Sequence, residues 1–156
     1  KGAAFLGAAG IADELNYVKV DKHTLQSTVY PNIWALGDAA NIPASKAGAV
    51  IHFQMGTAVK NILAHMAGKP MPDAFDGHAL CYIETGFDKA TLIDFDYTHE
   101  PFPGKYPLPG VGPFDLLGQT TLNHWGKLAF RYIYFLMMRG IEVPLPNKFS
   151  MAGKRA

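Results

Sequence analysis

The stretch "TVYPNIWALGDAAN", Thr28 to Asn41, decides the reading of this chain. Ile33 to Leu36 reads as a short buried apolar strand that stops on Gly37, and a bare carboxylate, Asp38, comes at once after it. A strand ending in Gly-Asp is common, because glycine permits the turn and aspartate caps the next segment. The pair by itself therefore decides nothing. The pattern around it is longer, running from Thr28 through Ile33-Trp34-Ala35 to Gly37-Asp38 as T-x-x-x-x-I-W-A-x-G-D. A carboxylate suits sugar hydroxyls, and glycine lets backbone approach a ligand closely.

That pattern resembles the second flavin-binding motif of two-dinucleotide-fold flavoproteins. The resemblance implies a strand that delivers a backbone turn beside FAD, with Asp38 accepting a hydrogen bond from the ribityl chain. The next residues, "AANIPASKAGAVIHFQMGTAVKNI", are similar to the sulfide:quinone oxidoreductases. In that family the flavin motif runs on through a Pro, a Lys and a Gly into a helix with a Gln and a small-residue pair. Here these are Pro43, Lys46, Gly48, Gln54 and Gly56-Thr57. A helix starting near Gly48 aims its positive end at the flavin's pyrimidine edge, where reduction places negative charge, and Lys46 adds a full charge nearby. Gly37, Asp38, Lys46 and Gly48 are thus the expected FAD-binding residues. Without the resemblance, Lys46 reads as a solvated loop lysine.

Composition bounds the rest. The chain has 156 residues, 49% hydrophobic and 17% charged, enough for a real core. A formal net charge of +1 with no basic stripe gives no case for nucleic acid. Cys81 is the sole cysteine, so an internal disulfide is excluded. The six histidines show no paired spacing with Cys or carboxylates, and no metal site is expected. The opening "KGAAFLGAAGIADEL" lacks a signal peptide's charged head and long apolar run. It starts on Lys1, and no G-x-G-x-x-G phosphate cradle occurs, since "GAAG" at Gly7 to Gly10 has the wrong spacing. The reading is therefore a C-terminal fragment whose missing N-terminal half holds the phosphate end of FAD.

The expected fold class is α/β, or α+β in isolation, as the C-terminal part of an FAD/NAD(P)-binding Rossmann-like flavoprotein. Residues 1–70 are read as the end of the FAD-binding domain. Within them Tyr17 to Ser27 is read as a strand, and Ala47 to Ala67 as a helix closed by Gly68 near Pro70. Residues 71–99 are read as a β-hairpin around "GFDK" with Cys81 on its first strand. Residues 100–115, with Pro or Gly at nearly every second place, are read as a loop without regular structure. Residues 116–156 are read as an amphipathic tail, helical over roughly Leu116 to Gly140.

A lone strand cysteine is more often a small buried hydrophobe than a nucleophile. The resemblance implies otherwise: one redox-active cysteine of the family lies downstream of the Gly-Asp motif on a strand beside the flavin, where Cys81 falls. Sulfide then attacks a cysteine disulfide, the released thiolate passes two electrons to the flavin, sulfur accumulates as persulfide or polysulfide, and a quinone takes the electrons. The second cysteine belongs to the upstream half. Glu84 reads as a polar position of the hairpin, close enough in sequence to Cys81 to act as a base, and His52, the one histidine considered for proton delivery, reads otherwise as a packed or solvated side chain.

Quinone is dissolved in membrane, so a bilayer surface is an expected partner. "HWGKLAFRYIYFLMMRG", His124 to Gly140, is too short to span but rich in aromatics beside Lys127, Arg131 and Arg139, and reads either as an interfacial helix or as a core helix. Trp125, Phe130 and Tyr134, with Leu80 and Tyr82 flanking the cysteine, are the expected quinone contacts. The implied location is peripheral and monotopic on the prokaryotic cytoplasmic membrane, with a homo-oligomer left open. Two other readings remain open. One is a related flavoprotein, either a flavocytochrome c sulfide dehydrogenase flavin subunit or a type II NADH:quinone oxidoreductase. The other is a non-enzymatic interaction domain.

Overall fold

The computed structural model describes residues 1–101, 103–108 and 110–141, so the end of the expected tail, 142–156, lies outside the described residues. The chain is α+β and divides into two units, Lys1–Ala79 and Leu80–Ala156.

The first unit holds helix α1 (Ala4–Ala8), strands β1 (Val18–Lys19) and β2 (Ala40–Asn41), a 3₁₀ turn at Gly37–Ala39, and helix α2 (Gly48–Met66). β1 and β2 pair in parallel, Val18 with Ala40 and Lys19 with Asn41. The strand read over Tyr17 to Ser27 shrinks to β1, because Asp21 folds back on itself: its carboxylate accepts from the backbone N–H of His23 and Thr24. The strand read over Ile33 to Leu36 is not formed either. The segment is extended but paired along one side only, with Ser27 N–H donating to Ile33 O and Ala35 N–H to Leu25 O, and a single bridge joins Trp34 to Gln26. Only Ala35 of those four residues is buried.

α2 ends as its sequence dictates. Gly68 takes φ +65°, its N–H donates to His65 O, and Lys69 N–H donates to Ala64 O, which is a Schellman closure. Its faces are inverted relative to a typical surface helix. Gln54, Thr57 and Asn61 are buried beside Val50 and Ala58, while Met55, Val59, Leu63 and Met66 are exposed. Two of these polar side chains meet backbone: Gln54 accepts from Gly37 N–H, and Asn61 donates to Thr24 O and Asp73 O and accepts from Asp73 N–H.

The second unit is a mixed four-stranded sheet with one helix. Its strands are β3 (Ala79–Gly86), β4 (Lys89–Phe95), β5 (Gly104–Leu108) and β6 (Gly112–Leu116), in the order β3-β4-β6-β5, and α3 spans Thr121–Met138. Phe87 and Asp88 join β3 to β4, both with φ near +54°, the left-handed pair that a tight two-residue hairpin turn demands. The loop read over 100–115 is corrected: β5 and β6 form an antiparallel hairpin from Gly104 with Leu116 to Leu108 with Gly112. Proline is tolerated there because β5 is the sheet edge and Pro107 sits opposite Pro113, so the missing N–H groups share one rung. β4 and β6 run parallel at Leu92 and Leu116, the buried pair around which Leu80, Tyr82, Tyr106 and Phe114 pack.

The helical tail therefore starts later than read, because Leu116 belongs to β6. Thr120 caps α3 by accepting from Asn123 N–H at 3.0 Å. Asn123, fully buried, accepts from Asp115 N–H and donates to Asp115 O and Gly118 O, tying the helix to the end of β6. Gly126 is required for close approach, since a Cβ there would lie 2.5 Å from the Phe114 ring.

Candidate functional site

The Gly37-Asp38 turn is built by three neighbours. Gly37 adopts φ +59°, and its N–H donates to the buried Gln54 Oε1 at 2.7 Å, so α2 holds the turn through its polar buried face. A Cβ on Gly37 would meet the Ile51 side chain at 2.9 Å. Lys46 Nζ donates to Ala40 O at 2.7 Å and Gly37 O at 3.4 Å, and stands 4.4 Å from the centre of the Tyr17 ring. The lysine thus clasps the turn and places its charge at the carbonyls around Asp38. Asp38 itself is exposed, and its carboxylate has no hydrogen-bond partner among the described residues.

Gly48 opens α2, and no side chain caps the N-terminus preceding it. Nothing lies within 4 Å of where a Gly48 Cβ would be, so its first turn is sterically open. Gly37, Asp38, Lys46 and Gly48 all lie in the first unit and surround one turn and one helix start. This donor set fits a polyol chain and an anionic ring edge, with a free carboxylate for hydroxyls and positive charge from ammonium and helix dipole. Sequence reading named Gln54 without a role and missed Tyr17. His52 is exposed on α2.

Cys81 is half-buried on β3 in the second unit and is not part of a disulfide. Strand alternation puts Leu80 and Tyr82 on the opposite face from it, and both pack against the Leu92–Leu116 core. They are core side chains here, not neighbours of Cys81's face. Burial pushes the Tyr82 phenol up to about 12, and burial, with Tyr82 and Asp94 nearby, pushes Tyr106 up as well.

Glu84 engages α3 instead of the cysteine. Its carboxylate lies 3.0 Å from His124 Nδ1 and 3.2 Å from Lys127 Nζ, and these two partners, His124 foremost, hold it below the usual carboxylate range. Trp125 is 60% exposed, whereas Phe130 and Tyr134 are half-buried with ring centres 6.4 Å apart. The five expected quinone contacts therefore divide among core, helix flank and open surface. Among the described residues, no group of three or more His, Cys, Asp or Glu could hold a metal ion, and no helix is long and apolar enough to cross a membrane.

No protein-family model matches the chain. Three curated relatives are oxidoreductases of one kind, all named mitochondrial sulfide:quinone oxidoreductase. The mouse protein is 36% identical over 141 residues, covering 82% of this chain and 31% of its own length. The Schizosaccharomyces pombe protein is 36% identical over 97 residues, 62% of this chain and 21% of the relative. The Dictyostelium discoideum protein is 40% identical over 84 residues, 54% and 19% respectively. The chain is homologous to a part of the sulfide:quinone oxidoreductases, and it spans at most 31% of the length of these relatives. Among solved structures, a chain in a Tetrahymena thermophila mitochondrial ATP synthase assembly shares the fold, with TM-score 0.73 and 24% identity, covering 94% of this chain and 34% of that one.

The relatives overturn one expectation outright. They are mitochondrial proteins of eukaryotes, so the prokaryotic cytoplasmic membrane does not stand as the location. A short sequence motif is shaped by the group it would hold, and such a motif carries no address.

Proposed function

We propose that this chain supplies the flavin-facing portion of a sulfide:quinone oxidoreductase, with Cys81 as one of its two redox cysteines. The observation that carries the reading is the Gly37-Asp38 turn, with Gln54 beneath it, Lys46 clasping it and the Asp38 carboxylate left open. FAD, when bound, supplies a two-electron acceptor between sulfide and quinone. Asp38 would hold its ribityl hydroxyls, and Lys46 and the Gly48 end of α2 would favour negative charge on its ring. Gly37 would let backbone come close.

Cys81 takes sulfur. A sulfide anion attacks a disulfide between Cys81 and a second cysteine, which these 156 residues do not contain, forming one S–S bond as another breaks and releasing a thiolate. The chain alone is accordingly inactive in turnover. α3 lies in the plane of a membrane surface and brings the protein to the quinone pool, its exposed Trp125 and Tyr132 suited to the headgroup level.

The test is an anaerobic absorbance titration of a flavin-loaded polypeptide of the relatives' full length. Sulfide should bleach the flavin and a soluble quinone should restore it. Cys81→Ser should leave flavin bound while sulfide-dependent quinone reduction falls by at least about a hundredfold, as for loss of a covalent nucleophile. Unchanged turnover returns Cys81 to a packing role, and flavin bleached by NADH but not sulfide replaces the reaction with a type II dehydrogenase.

A further inference from the structure

The outward face of α3 is apolar over its whole length. Leu122, Trp125, Leu128, Tyr132, Phe135 and Leu136 are each at least 40% exposed, a contiguous patch of a kind that soluble monomers seldom leave open. Charge is distributed along this helix in one sense only. Thr121–Met138 contains no Asp or Glu, while His124, Lys127 and Arg131 each stand one position before Trp125, Leu128 and Tyr132. The cations therefore form a row along one edge of the apolar face, and Arg139 stands at the helix end.

Among the described residues the row has one counter-charge. Glu84, reaching from β3, takes up His124 and Lys127, and so subtracts from the field at that end of the helix. Arg131 stands 5.9 Å from the Phe135 ring and makes no ion pair among the described residues, which leaves its charge for an external anion.

Resting on the reading of α3 as an in-plane membrane helix, we infer that its partner is an anionic lipid surface, with the Lys127–Arg131 edge and Arg139 at the helix end meeting the headgroup phosphates and Glu84 setting the strength of that contact. An apolar face sunk to headgroup depth places a flanking cation row at the level of the phosphates, where each basic side chain strengthens binding about fivefold. Glu84 works against this by neutralising part of the row.

The test is flotation of the 156-residue chain with vesicles of phosphatidylcholine alone and of phosphatidylcholine with about a third phosphatidylserine, at low and high salt. The expected result is preference for the anionic vesicles, weakened by salt. Arg131→Gln and Arg139→Gln should each lower that binding about fivefold without affecting the neutral vesicles. Glu84→Gln should raise it, a change of opposite sign that a merely structural role would not give. Circular dichroism checks that each variant is folded. Equal binding to both vesicles overturns the inference while leaving the in-plane helix. Binding to neither overturns the helix reading itself. Anionic preference indifferent to all three substitutions moves the lipid site off α3.

Discussion

Glycine 37 is the residue on which the candidate site turns. Its φ of +59° lies where a side chain costs about 1–2 kcal/mol, and its missing Cβ makes room for Ile51. Gly37→Ala should therefore destabilise the chain by about 2 kcal/mol, read from its urea midpoint, and should weaken flavin retention in a full-length protein. An unchanged midpoint would mean that the turn relaxes freely and that Gln54 does not hold it. Gly37 and Asp38 were legible in the sequence because their motif is local and long. Gln54 and Tyr17 were not, because the hydrogen bond and the ring contact that give them roles join residues 17 and 29 positions apart, 54 less 37 and 46 less 17.

Among the elements, α2 was readable and β5 and β6 were not, for one physical reason. A helix makes its hydrogen bonds within itself, so apolar spacing and the Gly68 stop mark it in a single pass. A strand is defined by its neighbour, and Pro and Gly, which break helices, say little about an edge hairpin whose rungs can spare an N–H. The same reasoning explains Ile33 to Leu36, which has strand composition but a neighbour on one side only. Asn123 tests how elements are joined. It ties α3 to the end of β6 through one acceptor and two donor contacts, all inside the unit. Asn123→Ala leaves buried peptide groups without partners and should cost about 2–3 kcal/mol in urea denaturation. Leu122→Ala, beside it in sequence but 48% exposed, should stay within about 0.5 kcal/mol. Equal losses would mean that the capped helix end, and not the amide, joins the layers.

On the scale of the whole molecule, alkaline pH probes the packing of the second unit. The Tyr82 phenol is raised from 10.0 to about 12 by burial, so folding favours its protonated form. That contribution is complete below the ordinary tyrosine range and is lost as pH rises through the folded value, so stability should decline between about pH 10 and 12. Tyr82→Phe should flatten part of that decline, while tyrosinate absorbance in the wild type should show late-ionising phenols; a decline of the same size in the variant would assign the effect elsewhere. The inverted helix in the first unit has its own consequence for mutational tolerance. A saturation survey scored on the folding of this chain alone will accept polar replacements at Met55, Val59, Leu63 and Met66 and reject apolar ones at Gln54 and Asn61, so at these six positions of α2 its tolerance map will run opposite to a hydrophobicity scale.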